Sequence, residues 1–207
     1  MLELVLPPQT PCRPRRTTTG AKLALKPVHV CGVRIRLPLK RQLRDLALFD
    51  LALDSKLRGC DLVALRLSDL VSGGNVRGRL MILQQKTGRP AQFEVTEQVR
   101  RSILSWLQAK QLGPDDWLFP SRMKPGVHLS TREYARRVDQ WVVLIGLDPA
   151  AYGTHSMRRT KLSLLYKKTR NLRACQLLLG HTKLESTARY LGVEVDGALE
   201  LSQALEL

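Results

Sequence analysis

Residues 154–190 read THSMRRTKLSLLYKKTRNLRACQLLLGHTKLESTARY. Nine of them are Lys or Arg, and only Glu185 is acidic. Thr154 is suited to cap a helix on which positions 155, 158, 162, 165 and 169 share a face. Leu162 and Leu165 turn that face inward, so His155 and Arg158 are expected at its rim, half buried. Leu172, Cys175, Gln176 and Leu179 mark a second helix, and Gly180 ends it in the manner of a glycine just past a helix C-terminus. A short third helix, Leu184 to Leu191, carries Tyr190.

Upstream, the spacing of apolar residues predicts a buried helix from Leu39 to Leu53, a break from Ser55 to Gly59 and a short helix from Cys60 to Leu67. Asn75–Lys86 and Ala91–Thr96 are β-like, and the turn residues Thr87-Gly88-Arg89-Pro90 join them as a hairpin. Glu97–Gln111 reads as a helix with Val99, Ile103, Trp106 and Leu107 on one stripe. A loop over Pro114–Pro125 precedes a helix that Ser130 caps and that runs to about Ile145. The fold class is mainly α with a small antiparallel β-hairpin. Residues 1–38, with six prolines, read as a loosely ordered basic arm. Residues 39–193 form the main domain, and 194–207 an amphipathic tail helix.

Charge is concentrated rather than spread. The net charge is +16, residues 1–44 hold ten Lys/Arg against Glu3, and the tail from Leu191 has four acids and no base. Two basic zones beside an acidic tail point to a polyanionic partner. The four cysteines (Cys12, Cys31, Cys60, Cys175) have no paired or metal-ligand spacing, so reduced thiols and no metal site are expected. No apolar run reaches the roughly 20 residues that span a bilayer, and no secretory signal pattern opens the chain. A cytoplasmic protein without membrane contact is expected.

Arg58, Lys86, His155, Arg158, His181 and Tyr190 occur in an order with chemical meaning. A guanidinium donates two parallel hydrogen bonds to a phosphate and keeps its charge. His155 and Arg158, three apart on a helix, reach one phosphate together. Taken singly, each is ordinary: an arginine after a helix is commonly a surface ion pair, a turn lysine is commonly solvated, and a lone tyrosine is commonly core.

In combination the set resembles the tyrosine recombinase (phage integrase) family, over roughly residues 40–195. The motifs are the arginine of a Gly-Leu-Arg-x-x-Glu pattern, a hairpin lysine, His-x-x-Arg, Gly-His and a tyrosine nine positions on. Here Lys56 stands where that pattern has glycine, and Asp61 where it has the acid. The resemblance implies the catalytic-domain fold and cleavage of double-stranded DNA by Tyr190 through a 3′-phosphotyrosyl link, with neither metal nor cofactor. It makes Arg58, Arg158 and His181 the phosphate ligands, Lys86 the acid on the leaving 5′ oxygen, His155 the assistant to proton removal, and Asp61 a supporting residue. Nearby cations are expected to favour the phenolate. Arg89, Arg159, Lys161, Lys183 and Arg189 are the candidate DNA contacts. The family's tetramer on two DNA sites is expected; for the N-terminal core-binding domain of full-length relatives two alternatives stand, the basic arm gripping DNA by charge contacts or an accessory protein completing the clamp. Two other readings stay open: a type IB topoisomerase-like nicking-joining enzyme, and a non-catalytic DNA-binding regulator.

Overall fold

The computed structural model describes residues 22–192; residues 1–21 of the expected arm and the expected tail helix over 194–207 lie outside them. The first element, α1 (Pro27–Leu39), is a helix where a loosely ordered arm is predicted. Pro27 at its first position needs no N–H partner there. Val30, Val33 and Leu37 then recur on one face and are buried. The short-range pattern was hidden by prolines that sit at the helix ends. Arg41, at φ 55°, turns the chain into the next helix, so the predicted Leu39 start falls back to Leu43.

That helix, α2 (Leu43–Ser55), is the axis of the molecule. All but its first residue are buried, and it packs against α1, α5 and α7. A helix buried on every side must find partners for its charges. Asp50 meets Arg34 at 2.7 Å, and Asp54 meets Lys161 at 2.7 Å. Asp45 lies 3.7 Å from Arg137 and accepts a hydrogen bond from Trp141 Nε1 at 3.3 Å. Burial still raises the Asp50 carboxyl above its ordinary value, with Arg34 opposing that effect. The apolar side chains of α2, among them Leu48, Phe49 and Leu51, meet Val99 and Ile103 of α5 (Glu97–Ala109) and Trp141 of α6 (Thr131–Leu144). Ser130 caps α6 as expected, and Thr96 caps α5.

Between α2 and α5 come α3 (Gly59–Val63), α4 (Leu67–Leu70) and two antiparallel hairpins. The strand expected over Asn75–Lys86 is divided. Val71–Ser72 (β1) pairs with Asn75–Val76 (β2) around Gly73-Gly74, both at positive φ, as a two-residue hairpin turn requires. Arg79–Leu83 (β3) then pairs with Pro90–Glu94 (β4), with Leu80 opposite Phe93 and Leu83 opposite Pro90. Alternation turns Leu80, Ile82 and Gln84 inward and leaves Met81, Leu83 and Gln85 outside.

After a short 3₁₀ turn (Pro149–Ala151), α7 (Thr154–Thr169), α8 (Leu172–Leu179) and α9 (Leu184–Leu191) complete the described chain. Gly153 rather than Thr154 is the N-cap of α7, and its N–H donates to Ser156 Oγ at 3.1 Å. Asn171 caps α8, and Gly180 ends it at φ 67°. These helices carry their own small core: Leu162, Cys175 and Leu179, with Leu165, Tyr166, Tyr190 and Leu191 packed on it. At about 1.5–3 kcal/mol per fully buried leucine, Leu162 and Leu179 are the largest apolar contributors to the packing of α8 and α9 on α7.

Candidate active site

The C-terminal ends of α2 and α8 meet the N-terminal end of α7, and Arg158 ties the three together. It is 6% exposed. Its Nε donates to the carbonyl of Lys56 at 2.6 Å, and its Nη2 donates to that of Leu179 at 2.8 Å. Both acceptors belong to helix ends, where carbonyls otherwise lack partners and carry partial negative charge. Burial, then Arg58 among the cations, lowers the Arg158 pKa from its ordinary value, yet a guanidinium keeps its proton. A buried cation therefore stands fixed at the centre of the site.

Arg58 is the N-cap of α3, directly after the α2 terminus. Its Nη1 donates to Oε1 of the buried Gln84. Arg58, Thr87, Arg89, Gly180, His181, Thr182 and Ser186 line a cleft of about 360 Å³. Lys86 is exposed on the β3–β4 turn and does not line it; its neighbours Thr87 and Arg89 do. Asp61 is buried behind the same turn, and its Oδ1 accepts from the Gln85 amide at 2.9 Å. Its Oδ2 has no partner among the described residues.

His181 follows the left-handed Gly180, and its Nδ1 lies 3.1 Å from the hydroxyl of the fully buried Thr187. Its ring meets the Tyr190 ring edge-to-face at 5.6 Å between centroids. Over Tyr190 stand the guanidinium carbons of Arg159 at 5.0 Å and Arg158 at 5.8 Å. The Tyr190 hydroxyl donates to the backbone carbonyl of His155 at 3.3 Å, not to its ring. His155 itself is at the rim and more open than expected. Partial burial, then Arg158 and the neighbouring arginines, lowers the pKa of both histidines. Each is neutral at neutral pH and so free to accept a proton.

The phenol behaves otherwise than expected from its cations. Burial raises its pKa, and the opposing effects of Arg158, Arg159 and Arg58 do not overcome it. In the resting protein Tyr190 is a neutral phenol. An anionic phosphodiester in the cleft disfavours the phenolate further, so attack requires that the proton leave as the new bond forms.

The expected DNA contacts divide. Arg89 lines the cleft, and Lys183 and Arg189 are exposed on α9 and its N-cap. Arg159 is drawn inward, with Nη1 donating to the Lys22 carbonyl at 2.7 Å. Lys161 is committed to Asp54 and faces a different groove, beside β4 and α8. Residue reasoning missed Gln84, although strand alternation from Leu80 places it on the inner face. It also missed a second basic cleft of about 510 Å³, lined by Arg44, Arg122, Lys124, Arg136 and Arg137. Among the described residues, no group of three or more His, Cys, Asp or Glu could hold a metal ion, and no helix is long and apolar enough to cross a membrane.

Residues 36–195 match the model of the phage integrase family. The chain belongs to that family of tyrosine recombinases. It is 31% identical to tyrosine recombinase XerD of Rhizobium meliloti over 154 residues, 73% of this chain and 48% of that protein. It is 25% identical to the probable integrase/recombinase YoeC of Bacillus subtilis over 164 residues, 76% of this chain and 82% of that protein. The chain thus spans about half the length of its XerD relative. Among solved structures, XerA recombinase superposes with a TM-score of 0.71 at 18% identity, over 97% of this chain and 68% of that one. XerH recombinase in a post-cleavage complex with palindromic difH substrate gives 0.68 at 20% identity, over 91% and 54%. In this family member, the integrase fold is what brings Arg58, Arg158, His181 and Tyr190 into one place.

Proposed function

We propose that this integrase-family chain cleaves and rejoins double-stranded DNA at specific sites, with Tyr190 as the nucleophile. The observation that carries the reading is the packing of the Tyr190 ring against His181 and under Arg158 and Arg159, beside the cleft that Arg58 lines. A phosphodiester seated there meets Arg58, Arg158 and His181 as hydrogen-bond donors to its non-bridging oxygens. Tyr190 Oη attacks phosphorus and its proton passes to the neutral ring of His155. The bond from phosphorus to the 5′ oxygen breaks, Lys86 protonates that oxygen, and a 3′-phosphotyrosyl link remains. Attack by a 5′ hydroxyl of a second strand reverses the chemistry, so the phosphodiester energy is conserved. All of these steps run through side chains of this chain.

The partner is duplex DNA in the cytoplasm, and two copies of the chain act on the two halves of a site, assembling as a tetramer across two sites. The likeness to XerH, which was captured on a palindromic difH substrate after cleavage, supports DNA as the partner and two matching halves of its site. Arg89, Lys183 and Arg189 contact the backbone near the scissile phosphate. The test uses duplexes carrying a nick beside the crossover, so that the cut fragment diffuses away. A denaturing gel should show protein linked to DNA, and Tyr190→Phe should abolish the link. That variant keeps the ring and loses only a 3.3 Å hydrogen bond. An adduct that survived in Tyr190→Phe would remove Tyr190 as the nucleophile.

A further inference from the structure

We propose that Gln84 is the positioning residue that sets Arg58 and the Lys86 turn in register, an inference that rests on the transesterification reading above. Gln84 is 4% exposed, and a buried amide is costly unless its hydrogen bonds are made. Its Oε1 accepts from Arg58 Nη1 and from Thr87 Oγ1, the latter at 2.9 Å. Its backbone carbonyl accepts from Gly88 N at 2.8 Å and Thr87 N at 3.3 Å, and its own N–H donates to Arg89 O at 2.9 Å. One residue therefore holds a guanidinium of the cleft and closes the turn that carries the lysine. On its far side, Nε2 lies 3.5 Å from where a Cβ on Gly180 would stand, next to His181.

The side chain must also be neutral. An amide oxygen orients Arg58 through one donor and leaves the cation uncancelled, with its other donors free for phosphate. A glutamate of the same shape would hold the same atoms but offset the positive charge. The buried carboxylate of Asp61 accepts from the backbone N–H of Gln85 instead.

Gln84→Met and Gln84→Glu separate geometry from charge. Four quantities are read: single-turnover adduct formation on the nicked duplex, duplex Kd, melting temperature, and the ¹⁵N–¹H signal of the Arg58 guanidinium, assigned with Arg58→Lys. In Gln84→Met the Arg58 signal should shift and broaden. Its cleavage rate should fall by up to about 100-fold, as a misplacement near 1 Å does, while Kd changes less than threefold. Gln84→Glu should keep the melting temperature and the protected Arg58 signal and still lose rate. A Gln84→Met protein with wild-type rate, or with an unshifted Arg58 signal, overturns the proposal. Should that variant fail to fold, Gln84→Glu decides: wild-type rate overturns, lost rate at native melting temperature supports. The guanidinium signal reads the contact without cleavage. A wild type that forms no adduct, while its Arg58 signal depends on Gln84, sinks the reaction and sustains the contact.

Discussion

Replacing Lys56 by Met should stabilise the protein, and the gain should shrink as pH rises. Lys56 is 7% exposed at the left-handed end of α2, with φ 55°. Burial first, then Lys161, lowers its pKa from 10.5 to about 8, with Asp54 opposing. In the unfolded chain the ammonium keeps its ordinary value. Between the two values the unfolded state binds more protons, so wild-type stability rises with pH across that window. Below it both states are charged, and the full cost of burying the cation is present. At 1.36 kcal/mol per unit, the cost is about 3 kcal/mol at pH 7, and about half of it remains at pH 9.5. Met has the same reach without the charge and the same backbone strain, while Asp54 retains Lys161 and Thr96. Urea unfolding of both proteins at pH 7.0, 8.0, 9.0 and 9.5 measures the difference. A Met variant within about 1 kcal/mol of wild type at pH 7, with a parallel pH dependence, would refute the reasoning.

Four further outcomes are expected. The single-turnover adduct rate should be flat from about pH 7 to 9, because His155 is already neutral and Tyr190 is still protonated, and it should fall in acid, below the ordinary histidine value, as His155 titrates; His155→Gln should remove that acid limb. Arg158→Lys should lose one of two buried hydrogen bonds to helix-end carbonyls, costing about 1–3 kcal/mol in urea unfolding, and should abolish the adduct. Gly180→Ala should cost about 1–2 kcal/mol from its φ of 67°, since a Cβ there meets Gln84 only at ordinary contact distance. Duplex affinity should fall steeply with salt, by roughly 0.9 log units per phosphate contact for each log unit, and Arg89→Ala should lower that slope by about one contact.

Much of this was legible because helix caps and periodicity are local. Ser130 and Gly180 mark helix ends in the sequence and in the fold alike, and Tyr190 falls on the short helix expected for it. What was hidden depends on burial, which only tertiary packing sets. Cations around Tyr190 suggested a phenolate, but packing on Leu162 and Leu179 makes desolvation the larger effect. Lys161 was expected to contact DNA, but α7 crosses α2 and presents it to Asp54. The Gly73-Gly74 turn, with two positive φ values, folds Asn75–Val76 back onto Val71–Ser72, so the expected strand gives its first two residues to a separate hairpin.

Lys56 shows why a departure from the family pattern need not break the site. What the site requires at this position is a carbonyl turned toward Arg158, and the left-handed end of α2 supplies it whatever side chain is attached. Glycine would adopt that conformation with less strain, and lysine adds the cost of a buried ammonium. The strain and the buried charge therefore fall on stability, while the 2.6 Å bond from Arg158 to the Lys56 carbonyl is kept. Lys56→Gly should accordingly stabilise the fold by more than Lys56→Met does and leave the adduct rate within a few-fold of wild type. A Lys56→Gly protein with normal folding and no adduct would mean that the ammonium, and not the carbonyl alone, takes part in the site.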